Sequence, residues 1–547
     1  MLNANKPSRR TVLSLFGASL LLAGCGSPST TGAAPSNGAS AGTVLPEGVT
    51  TTASGAQALS LGEPQAGGTL TVGLFAPVES LDPGTSSASG GYVQRAIFDV
   101  LFVYDEKGNV VPELAKSIKT SDKGTTWILK LPTGVKFTDG TDFNADAVVK
   151  HLKNLAAEGS MSRSAGDVRQ IKKMVATDAA TVRFTLASPN MGFPKVFVWG
   201  LPGGPSMIPS PTAVEKLGQD FGAKPVGVGP FMLESFKPGG DIVLKRNPDY
   251  RIKGQPYLDG LKFIPATDTQ TRVSAAIAGD LDMGSSQSAT DLAAAAQGGL
   301  TPLYQPDGSY YNLLFNLSKA PFDDVRFRQA VIQAIDLDGL NQAVFQGQHN
   351  VMRGMFPTSN PFYVETAWPG YDPEAAKKLV AEYVAAGGKA EFTLTTTSPP
   401  EFQKQAAILQ QMLADAGIAM TLNTSDQPTM VTEALSGNYQ AQHRYTEVRE
   451  EVDQQLRSTY HSTSKGNNSK GSDPQVDKLL DQARQASSET ERRAIYTGLQ
   501  NRFAEWLPIA PLVAHKNGWY VGKNVGGFPG ARIGVIEPDW RLVWRVQ

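Results

Sequence analysis

From Gly67 onward the apolar positions switch between a period of two residues and one near 3.6, the mark of strands mixed with helices. Leu70, Val72 and Leu74 alternate along a first predicted strand, as do Trp127, Leu129 and Leu131, and then Val182, Phe184 and Leu186. Asp372-Pro373 supplies an N-cap and a proline at the first helical position. Ala376, Leu379, Val380 and Tyr383 form the apolar stripe of that helix, and Gly387 ends it. Asp473-Pro474 repeats the device ahead of Val476, Leu479, Leu480 and Ala483. Phe402, Ala406, Leu409 and Leu413 make a stripe closed by Gly417, and Ile495, Leu499 and Phe503 another stopped by Pro508. Stripes at this spacing are core faces, not cofactor sites. No short-period repeat is present.

The first 66 residues break the pattern. Lys6, Arg9 and Arg10 precede a mostly apolar run from Val12 to Ala23, shorter than the roughly 20 residues that span a bilayer. Residues 1–24 therefore read as a secretory signal. The run ends in Leu22-Ala23-Gly24-Cys25, similar to the lipobox of bacterial lipoproteins. Cys25 is the only cysteine, so it is the expected lipidation site and no internal disulfide is possible. Two acyl chains anchor a protein stably where one is marginal. Ser8-Arg9-Arg10-Thr11-Val12-Leu13 resembles a twin-arginine export motif, which leaves the twin-arginine and general secretory routes both open. Residues 25–66 are dominated by Gly, Ser, Thr, Ala and Pro. They are expected to form a flexible tether with a reach of about 35 Å.

Composition narrows the function classes. Lys and Arg number 50 against 51 Asp and Glu, and removing the signal leaves 47 against 51, a net charge of -4. A nucleic-acid surface needs a basic excess, so no nucleic-acid partner is expected. There is no Walker loop, G-x-G-x-x-G or H-E-x-x-H, the G-x-S-x-G spelled by Gly38-Ala39-Ser40-Ala41-Gly42 lies in the Gly- and Ser-rich stretch and is no nucleophile elbow, and Gly227-Val228-Gly229-Pro230 reads as a turn. His151, His349, His443, His461 and His515 are scattered without i,i+4 pairs, so each is expected to be solvated or singly hydrogen-bonded. A metal needs converging ligands, and neither a metal nor a cofactor is expected. Nothing in the sequence pairs two carboxylates as general acid and base.

Several segments, taken in order, resemble the family 5 extracellular solute-binding proteins, the dipeptide-, oligopeptide- and nickel-binding components of ABC importers. Gly67-Gly68-Thr69-Leu70-Thr71-Val72 with Leu81-Asp82-Pro83 is similar to the family's first strand and following loop. Ile97-Phe98-Asp99-Val100-Leu101-Phe102 and Pro112-Glu113-Leu114-Ala115 come next. Trp127 to Leu131 with Val135-Lys136-Phe137-Thr138-Asp139-Gly140 is the most specific match, continuing into Phe143-Asn144-Ala145-Asp146-Ala147-Val148, where Asn144 would cap a helix. Val226-Gly227-Val228-Gly229-Pro230-Phe231 resembles the family's glycine turn, with Val228 where threonine is common. Phe322-Asp323-Asp324-Val325-Arg326-Phe327-Arg328-Gln329-Ala330, leading to Ala334-Ile335-Asp336, completes the series.

The resemblance implies an α/β fold of the type II periplasmic-binding-protein kind: two lobes joined by a hinge, with an extra subdomain. Its expected limits are lobe I at 67–97, 220–309 and 512–547, the subdomain at 98–219, and lobe II at 310–511. It implies a monomer, tethered through Cys25 to the lipid bilayer outside the cytoplasm, that passes a small-molecule or peptide ligand to an ABC permease and catalyses nothing. Peptide binders of this family often carry a tryptophan-aspartate-tyrosine stretch whose aspartate holds the peptide amine. Tyr439 to Glu451 lacks it, so that role does not transfer. Arg444 and Glu447, with Tyr445, are the candidates there, Arg444 for an anionic group and Glu447 as an acid, against a solvated charged face. Other cleft candidates are Ser89, Gly90 and Tyr92 on a loop after the first strand, Trp199 in a Pro- and Gly-rich connection, and Tyr310 and Tyr311 opening a strand at a lobe boundary. An opine, an oligosaccharide or a nickel chelate is the alternative cargo. An exported hydrolase rests only on unassigned carboxylates.

Overall fold

The computed structural model describes residues 49–51, 57–85, 88–105, 109–160, 162, 164–198, 204–305, 308–447, 452–486, 488–528 and 538–546. Strand β1 (Thr69–Leu74) leads into helix α1 (Ala88–Ile97). A second group follows: β2 (Ser117–Thr120), β3 (Thr126–Lys130), α2 (Ala145–Ala156), β4 (Ile171–Asp178) and β5 (Thr181–Leu186). Next come β6 (Phe231–Phe236), β7 (Ile242–Arg246), β8 (Gly260–Pro265), α3 (Thr269–Ala278), β9 (Met283–Ser286), α4 (Ala289–Gln297) and β10 (Thr301–Tyr304). A further series runs β11 (Ser309–Phe315), α5 (Val325–Ala334), β12 (Asn350–Val351), α6 (Pro373–Ala385), β13 (Glu391–Thr396), α7 (Pro400–Asp415), β14 (Ala419–Thr424), α8 (Gln427–Ser436) and β15 (Ala441–Glu447). The chain closes with α9 (Val452–Tyr460), α10 (Pro474–Gln485), α11 (Glu489–Trp506), β16 (Ile509–Ala514) and β17 (Gly518–Val521).

These strands form three large sheets. The first has the order β6-β7-β8-β1-β9-β17-β10, the second β12-β16-β11-β15-β13-β14, and the third β2-β3-β5-β4. In the first, β8, β1 and β9 run parallel, while β17 runs antiparallel to β9 and β10. In the second, β13, β14 and β15 are parallel, and β11 is antiparallel to β15 and β16. Alternation along β11 sends Tyr311, Leu313 and Phe315 into one core and Tyr310 and Leu314 into another, so this sheet is covered on both faces. The third sheet packs under α2 over Trp127, Leu129, Val182 and Phe184.

Local signals place many elements. Asp372 caps α6 by accepting from Ala375 N at 2.9 Å, and Asp473 caps α10 by accepting from Val476 N at 2.9 Å. Asn144 caps α2 by accepting from Ala147 N at 3.0 Å. The glycine turn before β6 is set by close approach. A Cβ on Gly229 would stand 2.4 Å from the Ile97 carbonyl carbon, where the Gly229 N–H donates to Ile97 O at 2.8 Å.

The expected tether is not featureless to residue 66. Val49–Thr51 pairs with Gln57–Leu59, Leu59 is buried, and its N–H donates to Phe528 O at 2.8 Å. Tyr304 N donates to Gln57 Oε1 at 3.1 Å. Val49 and Leu59 give this stretch apolar surface that the Gly/Ser-rich composition obscured.

A buried ionic network fixes α1. Arg95 and Arg541 both donate to Glu113 Oε2, at 2.7 and 2.9 Å, and Asp539 pairs with Arg541. Trp540 Nε1 donates to the Tyr92 carbonyl at 2.8 Å. Removing one partner of a buried pair leaves an uncompensated charge. Glu113→Gln is therefore expected to cost about 3–5 kcal/mol of stability. A urea unfolding midpoint equal to that of the parent chain would refute this.

Candidate functional site

The topology itself locates a crevice. Parallel strands β8, β1 and β9 end on the edge where Ser286 faces Gly518, the first residue of β17. Parallel strands β13, β14 and β15 end where Glu447 faces Ser309, the first residue of β11. The chain passes between the two sheets at these edges, outward from β10 to β11 and back at 515–517. The expected limits at 309/310 and 511/512 fall inside β11 and β16, one and three residues short of the strand ends nearest these crossings. The crossings lie side by side: Gln305 N donates to Asn517 O at 3.1 Å and His515 N to Ser309 O at 2.8 Å. A Cβ on Gly518 would stand 2.2 Å from Leu303 O, so the return strand starts on a glycine. Two α/β sheets thus present their carboxyl ends to one crevice, the usual position of ligands in such sheets.

Tyr311 is the hub of the wall built by β11, β13, β15 and α7. Its ring meets Phe402 at 5.3 Å, and Tyr445, His515 and Phe345 each at 5.7 Å between centroids. Register explains part of this, since Tyr311 and Tyr445 are paired across β11 and β15. Glu401, in the first turn of α7, lies beside the Tyr311 hydroxyl, and burial together with the Glu401 charge pushes that hydroxyl up. Tyr445 OH shares a hydrogen bond with Ser309 Oγ at 2.5 Å and lies 3.4 Å from His515 Nδ1. His443 Nδ1 is 3.3 Å from Thr396 Oγ1, while its Nε2 has no partner among the described residues. Thr397 Oγ1 and both amide atoms of Gln405 are likewise buried and unpartnered.

The opposite wall comes from β9, β17, α1 and α4. Ser285, paired with Trp519, and Ser89 each bury a hydroxyl without a partner among the described residues. Ser286 Oγ donates to Asp291 Oδ2 at 2.8 Å, in the first turn of α4. Burial raises the Asp291 carboxyl, and the Ser286 hydrogen bond and Arg272 oppose the shift. Gln305, in the outward crossing, buries an unpartnered side-chain amide.

The histidine expectation is corrected in its solvated half only, since His151 and His443 each keep one hydrogen bond, to Gly204 O and Thr396 Oγ1. All five are buried, not solvated, and three that are distant in sequence gather around Tyr311. His349 and His515 are 5.6 Å apart between ring centroids, and His443 is 6.2 Å from Tyr311. No spacing rule exposes this, because three different strands or loops supply them. Burial pushes His349 down to about 4 and His443 and His515 to about 3. Among the described residues no group of three or more His, Cys, Asp or Glu is arranged to hold a metal ion.

The other predicted residues divide. Ser89, Gly90 and Tyr92 lie in helix α1, not on a loop, because the helix begins at Ala88. Tyr92 is buried and makes edge contacts with Trp519 at 4.9 Å and Phe75 at 6.1 Å. Tyr310 and Arg444 point to the other face of their sheet from Tyr311 and Tyr445. There Tyr310 is buried near Tyr460, and burial raises its hydroxyl well above the ordinary value. Arg444 is half-buried, donates from Nε to Gln442 Oε1 at 2.9 Å, and pairs with no carboxylate among the described residues. Burial lowers its guanidinium from the ordinary value. Glu447 pairs through its backbone with Ser309, but its side chain lies outside the described residues, as do Trp199 and Cys25. Sequence reasoning missed Asp291, Ser285, Thr397, Glu401 and Gln405. For Asp291, Thr397 and Glu401 the available signal was their place just after a strand or at the start of the next helix.

A family model of the bacterial extracellular solute-binding proteins, family 5 (middle region), matches residues 109–467. The glutathione-binding protein GsiB of Shigella flexneri serotype 5b (strain 8401) is 28% identical over 452 residues, covering 80% of this chain and 87% of that protein. The oligopeptide-binding protein AppA of Bacillus subtilis, solved with a nonapeptide, superposes with a TM-score of 0.73 at 23% identity, over 89% of this chain and 100% of that one. AgaA of A. tumefaciens R10, solved with agropinic acid, does so at 0.72 and 27% identity, over 88% and 99%. These likenesses bear out the expected class, a mixed α/β, two-lobed fold of the type II periplasmic-binding-protein kind.

The neutral histidines carry a pH signature. Free histidine titrates near 6.5, above all three folded values, so the unfolded chain binds more protons as pH falls from about 6.5 to 4. Their contribution is complete above this window and is lost through it, by up to about 1.4 kcal/mol per pH unit for each histidine. Denaturation midpoints should fall with pH across that window, and His443→Gln should flatten the slope. An unchanged slope in that variant would count against the assignment.

Proposed function

The chain belongs to the bacterial extracellular solute-binding proteins, family 5, the substrate-binding components of ABC importers, and we propose that it captures a di- or oligopeptide between its two lobes and hands it to a membrane permease. The observation that carries this reading is the crevice at the shared carboxyl edges of two sheets, with buried, unpartnered polar groups on both walls. Such groups suit a peptide backbone, whose N–H and C=O can satisfy them directly or through bridging water. Ligand held by both walls stabilises the closed arrangement and shifts the population toward it. The glutathione-binding relative and the nonapeptide complex support a peptide as cargo. The likeness to a protein holding agropinic acid favours an opine as the second reading.

Arg444 is assigned to an anionic end of the cargo, since it is the half-buried cation of β15 without a carboxylate partner among the described residues. The proposed lobes keep the arrangement expected from the sequence, with the limits at 309/310 and 511/512 moved to the two crossings, where the hinge lies. The chain is read as a monomer, exported by its N-terminal signal and held at the membrane by acylated Cys25.

Three measurements test this. Intrinsic tryptophan emission, with Trp519 near the crossings, should change saturably when di- and tripeptides are titrated. Arg444→Ala should weaken binding of peptides with a free carboxylate by about ten- to a hundredfold, the range expected for losing a hydrogen bond to a charged group, while amidated peptides lose little. Equal losses for both would remove Arg444 from the site. Cys25→Ala should move the protein from the membrane fraction to the soluble one, and its retention in the membrane would defeat the lipid anchor.

A further inference from the structure

Resting on the reading of the two crossings as the hinge, we propose that the strand pair Val49–Thr51 and Gln57–Leu59 is a clasp on it: Gln57 and Leu59 are positioning residues that hold both crossings by closing the free edge of the first sheet. β10 ends that sheet, next to β17 alone, and is the strand from which the chain leaves for the second sheet. Backbone N–H groups alternate from side to side along a strand. Gln305 N points inward to Asn517 O at 3.1 Å, so position 302 and Tyr304 N point outward. Residue 302 is a proline, with no N–H to offer. Tyr304 N donates to Gln57 Oε1 at 3.1 Å. Neither outward position of this edge therefore keeps a free donor, which is how exposed strands are protected from stray pairing.

A second contact reaches the return crossing. Leu59 is 2% exposed, bridges antiparallel to Phe528, and donates its N–H to Phe528 O at 2.8 Å. The Phe528 ring is buried and lies 6.0 Å from that of Trp519, the second residue of β17. Trp519 pairs with Leu303 of β10 on one side and with Ser285 of the crevice wall on the other. The segment from Trp519 to Phe528 is itself pinned, since Gly522 N donates to Asp282 O at 2.8 Å. One grip thus holds the root of the outward crossing directly, and the other holds that of the return crossing through Phe528 and Trp519.

The consequence is mechanical. Tyr304 is held from both sides, by Gly518 across β17 and by Gln57 from outside, so the dihedrals that swing begin beyond it. Opening of the crossings becomes a local event, separate from the unfolding of either sheet and governed by a few contacts. The clasp also decides where the expected tether joins the body. That place is the pivot, where a pull from the membrane does little work between open and closed forms and leaves their balance to the ligand.

Amide hydrogen exchange of the full chain without cargo, read by mass spectrometry on fragments covering 301–305 and 515–521, tests the clasp. Gln57→Ala removes one acceptor and touches neither core, and Leu59→Ser unseats the pair. Each should speed exchange in both fragments by about two- to tenfold, the range of one neutral hydrogen bond, while exchange across 391–424 stays as in the parent chain. Gln57→Glu keeps an acceptor oxygen and should exchange as the parent does; a rate matching that of Gln57→Ala overturns the assignment of Gln57. Faster exchange in 301–305 alone would make the pair a local edge cover and overturns its hold on the hinge. Unchanged exchange in both fragments, or an equal rise along the whole chain, overturns it as well. No cargo enters the measurement, so failure of every peptide to bind refutes the peptide reading and leaves the clasp to be judged by exchange.

Discussion

Everything functional in this fold depends on two short crossings of the chain lying side by side. The N–H of Gln305 bonds to the Asn517 carbonyl and that of His515 to Ser309, so the outward and return segments behave as one strip of backbone. Each segment continues directly into a strand at both ends, β10 to β11 and β16 to β17. Relative movement of the two sheets is therefore confined to a few backbone dihedrals, while each sheet keeps its own core. The same connection dictates where chemistry collects. Parallel strands of both sheets end at the crossings, and the loops and helix starts that follow them, at 286–291 and 396–401, face the same space.

That space contains more polar capacity than the protein uses. Ser89, Ser285, Gln305, Thr397, Gln405 and His443 all bury side-chain atoms without a protein partner among the described residues. A buried group left unsatisfied costs about 1–3 kcal/mol, so a set of this size is sustained only where water or ligand completes it. Tyr311 supplies the opposite quality. Packed against two phenylalanines, Tyr445 and two histidines, it is a rigid apolar back wall from which Glu401 and Tyr445 present their oxygens. Rigidity matters because flexible side chains lose entropy on binding, and ordered ones do not.

The division between what the sequence discloses and what it hides follows range. Asp372-Pro373 and Asp473-Pro474 state their helices outright because capping is a contact over three residues. The glycine turn at 227–230 is equally plain, although its partner, the Ile97 carbonyl, is not. Tyr311 reads as opening a strand at a boundary, which is where β11 begins; its role as a hub is invisible in the sequence, since its neighbours come from four separated segments. The histidines show this most clearly. Scattered spacing argues for rings that are solvated or singly hydrogen-bonded, yet strand register and the return crossing carry His349, His443 and His515 into one buried cluster. Arg444 and Tyr445, adjacent in sequence, were grouped as one candidate patch, and strand alternation sends them to opposite faces. Asp291 and Glu401 escaped notice because an acid in a helix's first turn is ordinarily just a favourable charge at a dipole.

The separation of polar groups between the walls has a thermodynamic consequence. A ligand moves an open–closed balance only by its difference in affinity for the two states. Contacts to Tyr445 or Thr397 alone exist in both and change nothing in that difference. Contacts that need Ser285 or Asp291 on one side and Glu401 or Gln405 on the other exist only when the crevice narrows. To carry a population from 1:99 to 99:1 they must together be worth about 5.5 kcal/mol, a few hydrogen bonds to charged groups. Such a requirement explains why the unpartnered atoms are shared out between the walls. A site gathered on one sheet would bind as well, but it would give the permease no means of telling a loaded molecule from an empty one.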